Sequence, residues 1–142
     1  MSVSEILAIK GRDVFTADAD MSLQEISKVL SAKKIGATVV LDKSGNVCGI
    51  ASERDIVREV AKSGSDALSK PISSCMTQKV ISCDESETVD DLMEKMTKGR
   101  FRHLPVISDG KLTGIISIGD VVKRKIQKAE QEAEEMKRYI AG

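Results

Sequence analysis

The sequence predicts an α/β fold of two tandem pseudo-symmetric repeats, each strand-helix-strand-strand-helix, forming two small sheets with packed helices. Three observations predict it. The stretch Gly49-Ile50-Ala51-Ser52-Glu53-Arg54-Asp55-Ile56-Val57 recurs 65 residues later as Gly114-Ile115-Ile116-Ser117-Ile118-Gly119-Asp120-Val121-Val122. The spacing extends outward: Val14-Phe15-Thr16 matches Val80-Ile81-Ser82, and Ile35 to Leu41 matches Phe101 to Ile107, both 66 residues apart. Finally, neither half is expected to bury its apolar face alone, so the two are expected to pack together.

The elements follow in order. Ser4 to Lys10 reads as a lead-in helix and Asp13 to Thr16 as a short strand. Asp20-Met21-Ser22 caps a helix whose inner face is Leu23, Ile26, Val29 and Leu30. Ile35 to Leu41 is a buried strand, Asp42 to Asn46 a turn, Val47 to Ala51 the return strand, and Asp55 to Lys62 a helix. Polar, small-residue-rich Ser63 to Ser74 is read as a linker. The second copy repeats the order with Val80-Ile81-Ser82, a helix capped by Thr88 over Val89, Leu92, Met93 and Met96, then Phe101 to Ile107, a turn at 108–111, Leu112 to Ile116 and a helix from Asp120. The expected division is a first repeat with its lead-in at 1–65, a linker at 66–75, a second repeat at 76–125 and a charged helical extension at 126–142.

Composition excludes several functions. Aromatic residues are 2% of the chain, which removes a stacking platform for single-stranded nucleic acid, and the 22 basic residues balance the 22 acidic ones. Nucleic acid is therefore not an expected partner. No stretch approaches the length of a membrane span. One histidine and three cysteines without Cys-x-x-Cys spacing give no metal cluster. Cys48, Cys75 and Cys83 read as reduced thiols of a cytoplasmic protein, Cys48 as a buried strand thiol rather than a redox sensor. No Ser or Cys has a His-plus-carboxylate arrangement, and neither Gly-x-x-x-x-Gly-Lys-[Ser/Thr] nor Gly-x-Gly-x-x-Gly occurs. The chain is read as having no catalytic residues and no catalytic cofactor.

The repeated Gly-h-x-Ser-x-x-Asp has two readings. Ser-x-x-Asp is a common helix cap, with Gly preceding it for a tight turn. It also sets a hydroxyl and a carboxylate at the positive end of a helix, where the carboxylate can accept ribose hydroxyls and the free N–H groups can meet a phosphate. His103, the lone histidine, is either a structural strand residue or, beside Arg100 and Arg102, part of an anion contact.

With these residues in view, the chain resembles a CBS (cystathionine β-synthase type) domain pair, or Bateman module, of the stand-alone bacterial type. Both copies of the Ser-x-x-Asp junction carry the likeness, as do Ser52-Glu53-Arg54-Asp55 and Arg102-His103-Leu104-Pro105-Val106, and it covers roughly residues 10 to 125. It implies a regulatory sensor that binds an adenine nucleotide (AMP, ADP, ATP or NAD) in clefts between the repeats, often as a homodimer, acting on an unspecified target. Carried over, Asp120 and Ser117 hold a ribose, Thr16 and Ile35-Gly36-Ala37 flank the adenine, and Arg102 and His103 face the phosphate. A second nucleotide site uses Ser52, Asp55, Ser82 and Phe101. Gly36-Ala37 stands there in place of Arg102-His103, with Arg54 as partial compensation, so the Asp120 site is expected to be the tighter. The alternatives are a protein-interaction module without ligand, whose Ser-x-x-Asp motifs are only caps, and an enzyme acting on nucleotides.

The tail adds a separate signal. Val122, Ile126, Ala129, Ala133, Met136 and Ile140 are spaced 4, 3, 4, 3 and 4, a coiled-coil seam. Either the helix folds back on its own domain or it is a subunit contact.

Overall fold

Four residues that accept through the side chain and donate through the backbone N–H at helix starts set the frame. In the computed structural model, which describes residues 1–141, Ser22, Ser52 and Thr88 each open a helix by accepting the backbone N–H three residues on, while the acidic residue there accepts in return. Ser117 and Asp120 do the same. These reciprocal caps satisfy donors that a helix start otherwise leaves unpaired. The elements are α1 (Val3–Lys10), β1 (Thr16–Asp18), α2 (Leu23–Lys33), β2 (Ala37–Leu41), β3 (Val47–Ser52), α3 (Glu53–Ser63), two short 3-10 turns (Gly64–Ser69 and Ile72–Ser74), α4 (Val89–Gly99), β4 (His103–Ser108), β5 (Lys111–Ser117) and α5 (Ile118–Ala141).

The chain forms two compact units, cut differently from the sequence repeats. One is continuous, Val14–Ile81; the other joins Met1–Asp13 to the chain from Ser82 onward. The continuous unit has a three-stranded sheet in which β1 runs parallel to β2 and β2 antiparallel to β3. Leu23, Ile26 and Leu30 of α2 meet Val40, Ala51 and Ile56 in its core. Val29 is only half-buried, so α2 presents a narrower inner face than expected. The discontinuous unit has a two-stranded sheet, β4 antiparallel to β5, and its core takes Val3, Ile6 and Leu7 from α1 with Leu92 and Met96 from α4 and Leu104, Val106 and Ile116 from the sheet.

Several expectations are corrected. The first strand lies at Thr16–Asp18 rather than 13–16. Its counterpart at 80–82 is no strand; what remains is a single parallel bridge from Cys83 to Val106, with the Ile107 N–H donating to the Cys83 carbonyl. The lead-in helix belongs with the second repeat, where its apolar side chains complete that core. The expected linker is folded: Ala67 and Ile72 are fully buried in the continuous unit, and the Ile72 N–H donates to the Met21 carbonyl at 2.7 Å. Gly49 and Gly114 are not turn residues; they sit within β3 and β5. Close approach explains them: a Cβ on Gly114 would fall 2.6 Å from Leu7 Cδ2, and one on Gly49 would fall 2.5 Å from Met76 Sδ. The buried thiol is Cys83 rather than Cys48, and burial pushes it up to about 12. Finally, α5 does not fold back. It is exposed from Ile126 onward, and the expected extension is the continuation of the helix that starts at Ile118.

Candidate functional site

Each unit builds the same junction. In the continuous unit β3 ends at Ser52 and α3 starts at Glu53, whose N–H donates to the Gly36 carbonyl at 3.0 Å, while Ala37 pairs with Ser52. In the discontinuous unit β5 ends at Ser117 and α5 starts at Ile118, whose N–H donates to the Arg102 carbonyl at 2.7 Å, while His103 pairs with Ser117. The segment before each central strand is thus stitched to the first turn of the helix carrying the Asp. The preceding helices end alike: Lys34 and Arg100 both sit in the left-handed region at φ 55. A side chain there costs on the order of 1 kcal/mol, and the same strained residue type turns the chain toward the junction in both units.

The fold therefore brings Ile35, Gly36 and Ala37 beside Ser52 and Asp55, and Phe101, Arg102 and His103 beside Ser117 and Asp120. Thr16 lies on β1, aligned with Val39 of β2. Arg102 is exposed and His103 half-buried. Phe101 is packed against the core with Met93 and Ile118, and the Ser82 carbonyl accepts from Lys95 Nζ at 2.9 Å.

The two carboxylates differ in setting. Asp55 is buried, its Oδ2 accepting from the Ser52 N–H at 2.9 Å and the Ser52 hydroxyl at 3.2 Å. The guanidinium near it is that of Arg58, 3.7 Å from Oδ1, rather than that of Arg54. Asp120 is half-buried, its Oδ2 accepting from the Ser117 N–H at 2.8 Å, the Ser117 hydroxyl at 3.0 Å and Lys10 Nζ at 2.7 Å. Burial pushes the Asp120 carboxyl up, but Lys10 and the Ser117 N–H more than offset it and hold the group below the usual carboxylate range. Lys10 also donates to the Ile115 carbonyl at 2.9 Å.

Lys10 is the residue that sequence reasoning missed, 110 positions from its partner. A signal existed. Ser2-Val3-Ser4-Glu5 and Pro71-Ile72-Ser73-Ser74 start the same segment, with Leu7 and Met76, 69 apart, facing the two repeated glycines. Lys79 occupies Lys10's place in that alignment, yet among the described residues no ion pair joins it to Asp55. The reason is local: α1 continues to Lys10, whereas the chain after Met76 forms an extended bridge from Thr77 to Ile50.

A separate hollow of about 350 Å³ lies in the discontinuous unit between the starts of α1 and α4 and the first turns of α5, lined by Glu5, Thr88, Asp90, Arg124, Lys125 and Lys128 among others. None of the expected site residues lines it. Among the described residues no group of three His, Cys, Asp or Glu could hold a metal, and no helix is long and apolar enough to cross a membrane.

The CBS domain model matches residues 3–62 and 72–126. The chain is similar to the crystal structure of the CBS-domain containing protein ATU1752 from Agrobacterium tumefaciens, with 51% identity, TM-score 0.85, and coverage of 87% of this chain and 92% of that one. It is similar also to the CBS domain pair of protein MJ0100 in complex with 5'-methylthioadenosine and S-adenosyl-L-methionine, at 29% identity and TM-score 0.80, covering 90% and 98%. A third similar structure is CBS domain protein PAE2072 from Pyrobaculum aerophilum complexed with AMP, at 26% identity and TM-score 0.76, covering 84% and 89%.

Proposed function

Because this chain belongs to the CBS-domain family, we propose that it is a regulatory module that binds an adenine nucleotide at its Ser-x-x-Asp junctions. One observation carries the reading: the two similar pairs solved with ligands hold AMP in one case and 5'-methylthioadenosine with S-adenosyl-L-methionine in the other, all of them 5'-substituted adenosines. The residues here suit that chemistry. A ribose diol donates two hydrogen bonds, and a capped carboxylate at a helix start accepts them. Since Lys10 and Ser117 use Oδ2 of Asp120, Oδ1 is the acceptor for the ribose. Arg102 and His103, stitched to the same helix start, supply the phosphate contacts, and Thr16 with residues 35–37 supplies the adenine surface. The second site uses Ser52, Arg54, Asp55, Ser82 and Phe101.

Binding then acts by linkage: the ligand favours whichever conformation holds it more tightly. A homodimer and a cytoplasmic location complete the reading. The reading is that of a regulatory module rather than an enzyme.

Thermal unfolding in the presence of AMP, ADP, ATP, NAD, 5'-methylthioadenosine and S-adenosylmethionine tests it. At a ligand concentration 100-fold above Kd, stabilisation of about 2.7 kcal/mol is expected from mass action. If none of the six raises the melting temperature, the nucleotide reading is abandoned in favour of an interaction module. Conversion of the bound nucleotide on prolonged incubation would instead make the chain an enzyme.

A further inference from the structure

The inner side of α5 is already occupied. Val121 is fully buried, Lys125 pairs with Asp90 of α4, and Arg124 and Lys128 line the hollow against α4. About a quarter-turn round the helix, at 3.6 residues per turn, runs a second stripe: Val122, Ile126, Ala129, Ala133, Met136 and Ile140. Its four larger members are 42%, 53%, 59% and 77% exposed in that order (Val122, Ile126, Met136, Ile140). An apolar line sustained over five turns of helix marks an interaction surface. We propose that this stripe is covered by α5 of a second copy of this chain, the two helices running parallel and in register.

The charge pattern supplies the partner and the direction. In heptad terms Ile126, Ala133 and Ile140 take the a positions and Val122, Ala129 and Met136 the d positions. β-branched residues at a suit a two-stranded parallel pair, and the alanine layers let the axes approach closely. In that pair each g residue faces the e residue five places on in the other copy. Lys125 then faces Glu130 of the second copy, and Glu132 faces Lys137 of the second copy; symmetry repeats both pairs. An antiparallel pair keeping the same apolar layers sets Val122 opposite Ile140 and Ala129 opposite Ala133. Its flanks would then bring Glu130 to Glu130, Glu132 to Glu132 and Lys123 to Lys137, all like-charge pairs, and leave Lys125 opposite the uncharged Tyr139. Lys125 has to leave Asp90, but that pair is exposed, at 39% and 68%, and an exposed ion pair contributes little in water.

The proposal deepens the homodimer reading and is independent of nucleotide binding. The full-length chain carrying Ile140→Cys, under mild oxidation, should give a covalent dimer whose bridge maps to position 140 in both copies. In the antiparallel pair those positions lie roughly 27 Å apart along the axis. In sedimentation equilibrium, Glu132→Lys or Lys137→Glu alone should weaken the dimer roughly tenfold, and the two together should restore it. All three sites are exposed, so the fold survives and circular dichroism should be unchanged. A monomer at micromolar concentration overturns the proposal. So does a Val122→Cys/Ile140→Cys variant that bridges 122 to 140 between copies. A dimer indifferent to the charge reversals keeps the homodimer but removes the seam from it.

Discussion

Asp55 and Asp120 hold the same place in the repeat, cap the same kind of helix with the same kind of serine, and differ in what else reaches them. Asp55 is enclosed by its own unit, with one guanidinium at 3.7 Å. Asp120 is more open and carries an ammonium at 2.7 Å, delivered by a helix from the other end of the chain. The difference teaches that a shared Ser-x-x-Asp cap does not fix the setting of its carboxylate, which depends on what packs around it. Asp55 is enclosed and held by its own cap, whereas Asp120 has Oδ2 engaged by Lys10 and Ser117 and is held below the usual carboxylate range.

The largest expected effect separates the two units by packing. Gly114→Ala drives a methyl group into Leu7, which is fully buried and has nowhere to move, and should cost about 2 kcal/mol of stability in urea unfolding. Gly49→Ala meets Met76, half-buried and flexible, and should cost less than about 1 kcal/mol. Equal costs would mean that the two glycines do not serve the close approach described here.

Ligand binding gives the next contrast. In calorimetric titration with AMP, Asp120→Ala should remove the tighter phase and Asp55→Ala should leave it. A charge-assisted phosphate contact contributes roughly 1.5–3 kcal/mol, so the Arg102 and His103 junction should bind at least about tenfold tighter than the other. Adenosine, without a phosphate, should narrow that gap. Loss of the tight phase with Asp55→Ala would reverse the assignment.

Smaller still is the effect of Lys10. Lys10→Met should reduce stability by about 1 kcal/mol or less, because the pair is partly exposed, while nucleotide binding at Asp120 persists. Loss of binding in that variant would make Lys10 a ligand contact instead of a support. The smallest effect is its pH dependence. The Asp120 carboxyl is depressed in the folded chain, so its contribution is complete above the ordinary value of 3.8 and disappears as pH falls below it. The melting-temperature gap between wild type and Lys10→Met should be constant from about pH 5 to 7 and close in more acidic solution. A gap that widened with acid would give the shift the opposite sign.

Most of the architecture was legible because it rests on short-range chemistry. Ser22, Ser52, Thr88 and Ser117 announce helix starts by residue type, and the seven-residue strand matches announce themselves by repetition. The family followed from the same residues. What was not legible depended on distance or on context. Val80-Ile81-Ser82 matches Val14-Phe15-Thr16, of which only Thr16 lies in β1; the segment matching β1 itself is 82–84, and there the chain makes a single bridge from Cys83 to Val106. The polar run at 63–74 hides Ala67 and Ile72, too few apolar residues to show a period. The 69-residue match of the segment holding Lys10 to that holding Lys79 hints at where α1 lies, but it does not name Asp120 as the partner, because no local rule links residues so far apart.

That placement orders events in time. The core of the continuous unit is drawn from Val14–Ile81 alone, so all of its members are made in one uninterrupted run. The other unit cannot close until β5 and the start of α5 have been synthesised, because only then does α1 find the sheet that Leu7 covers and the carboxylate that Lys10 meets. The apolar face of Val3, Ile6 and Leu7 therefore waits for strands made about a hundred residues later. Folding of this unit carries the entropy of closing a loop of some hundred residues, roughly 0.6 kcal/mol more for each doubling of loop length, and non-local closure of this kind slows folding.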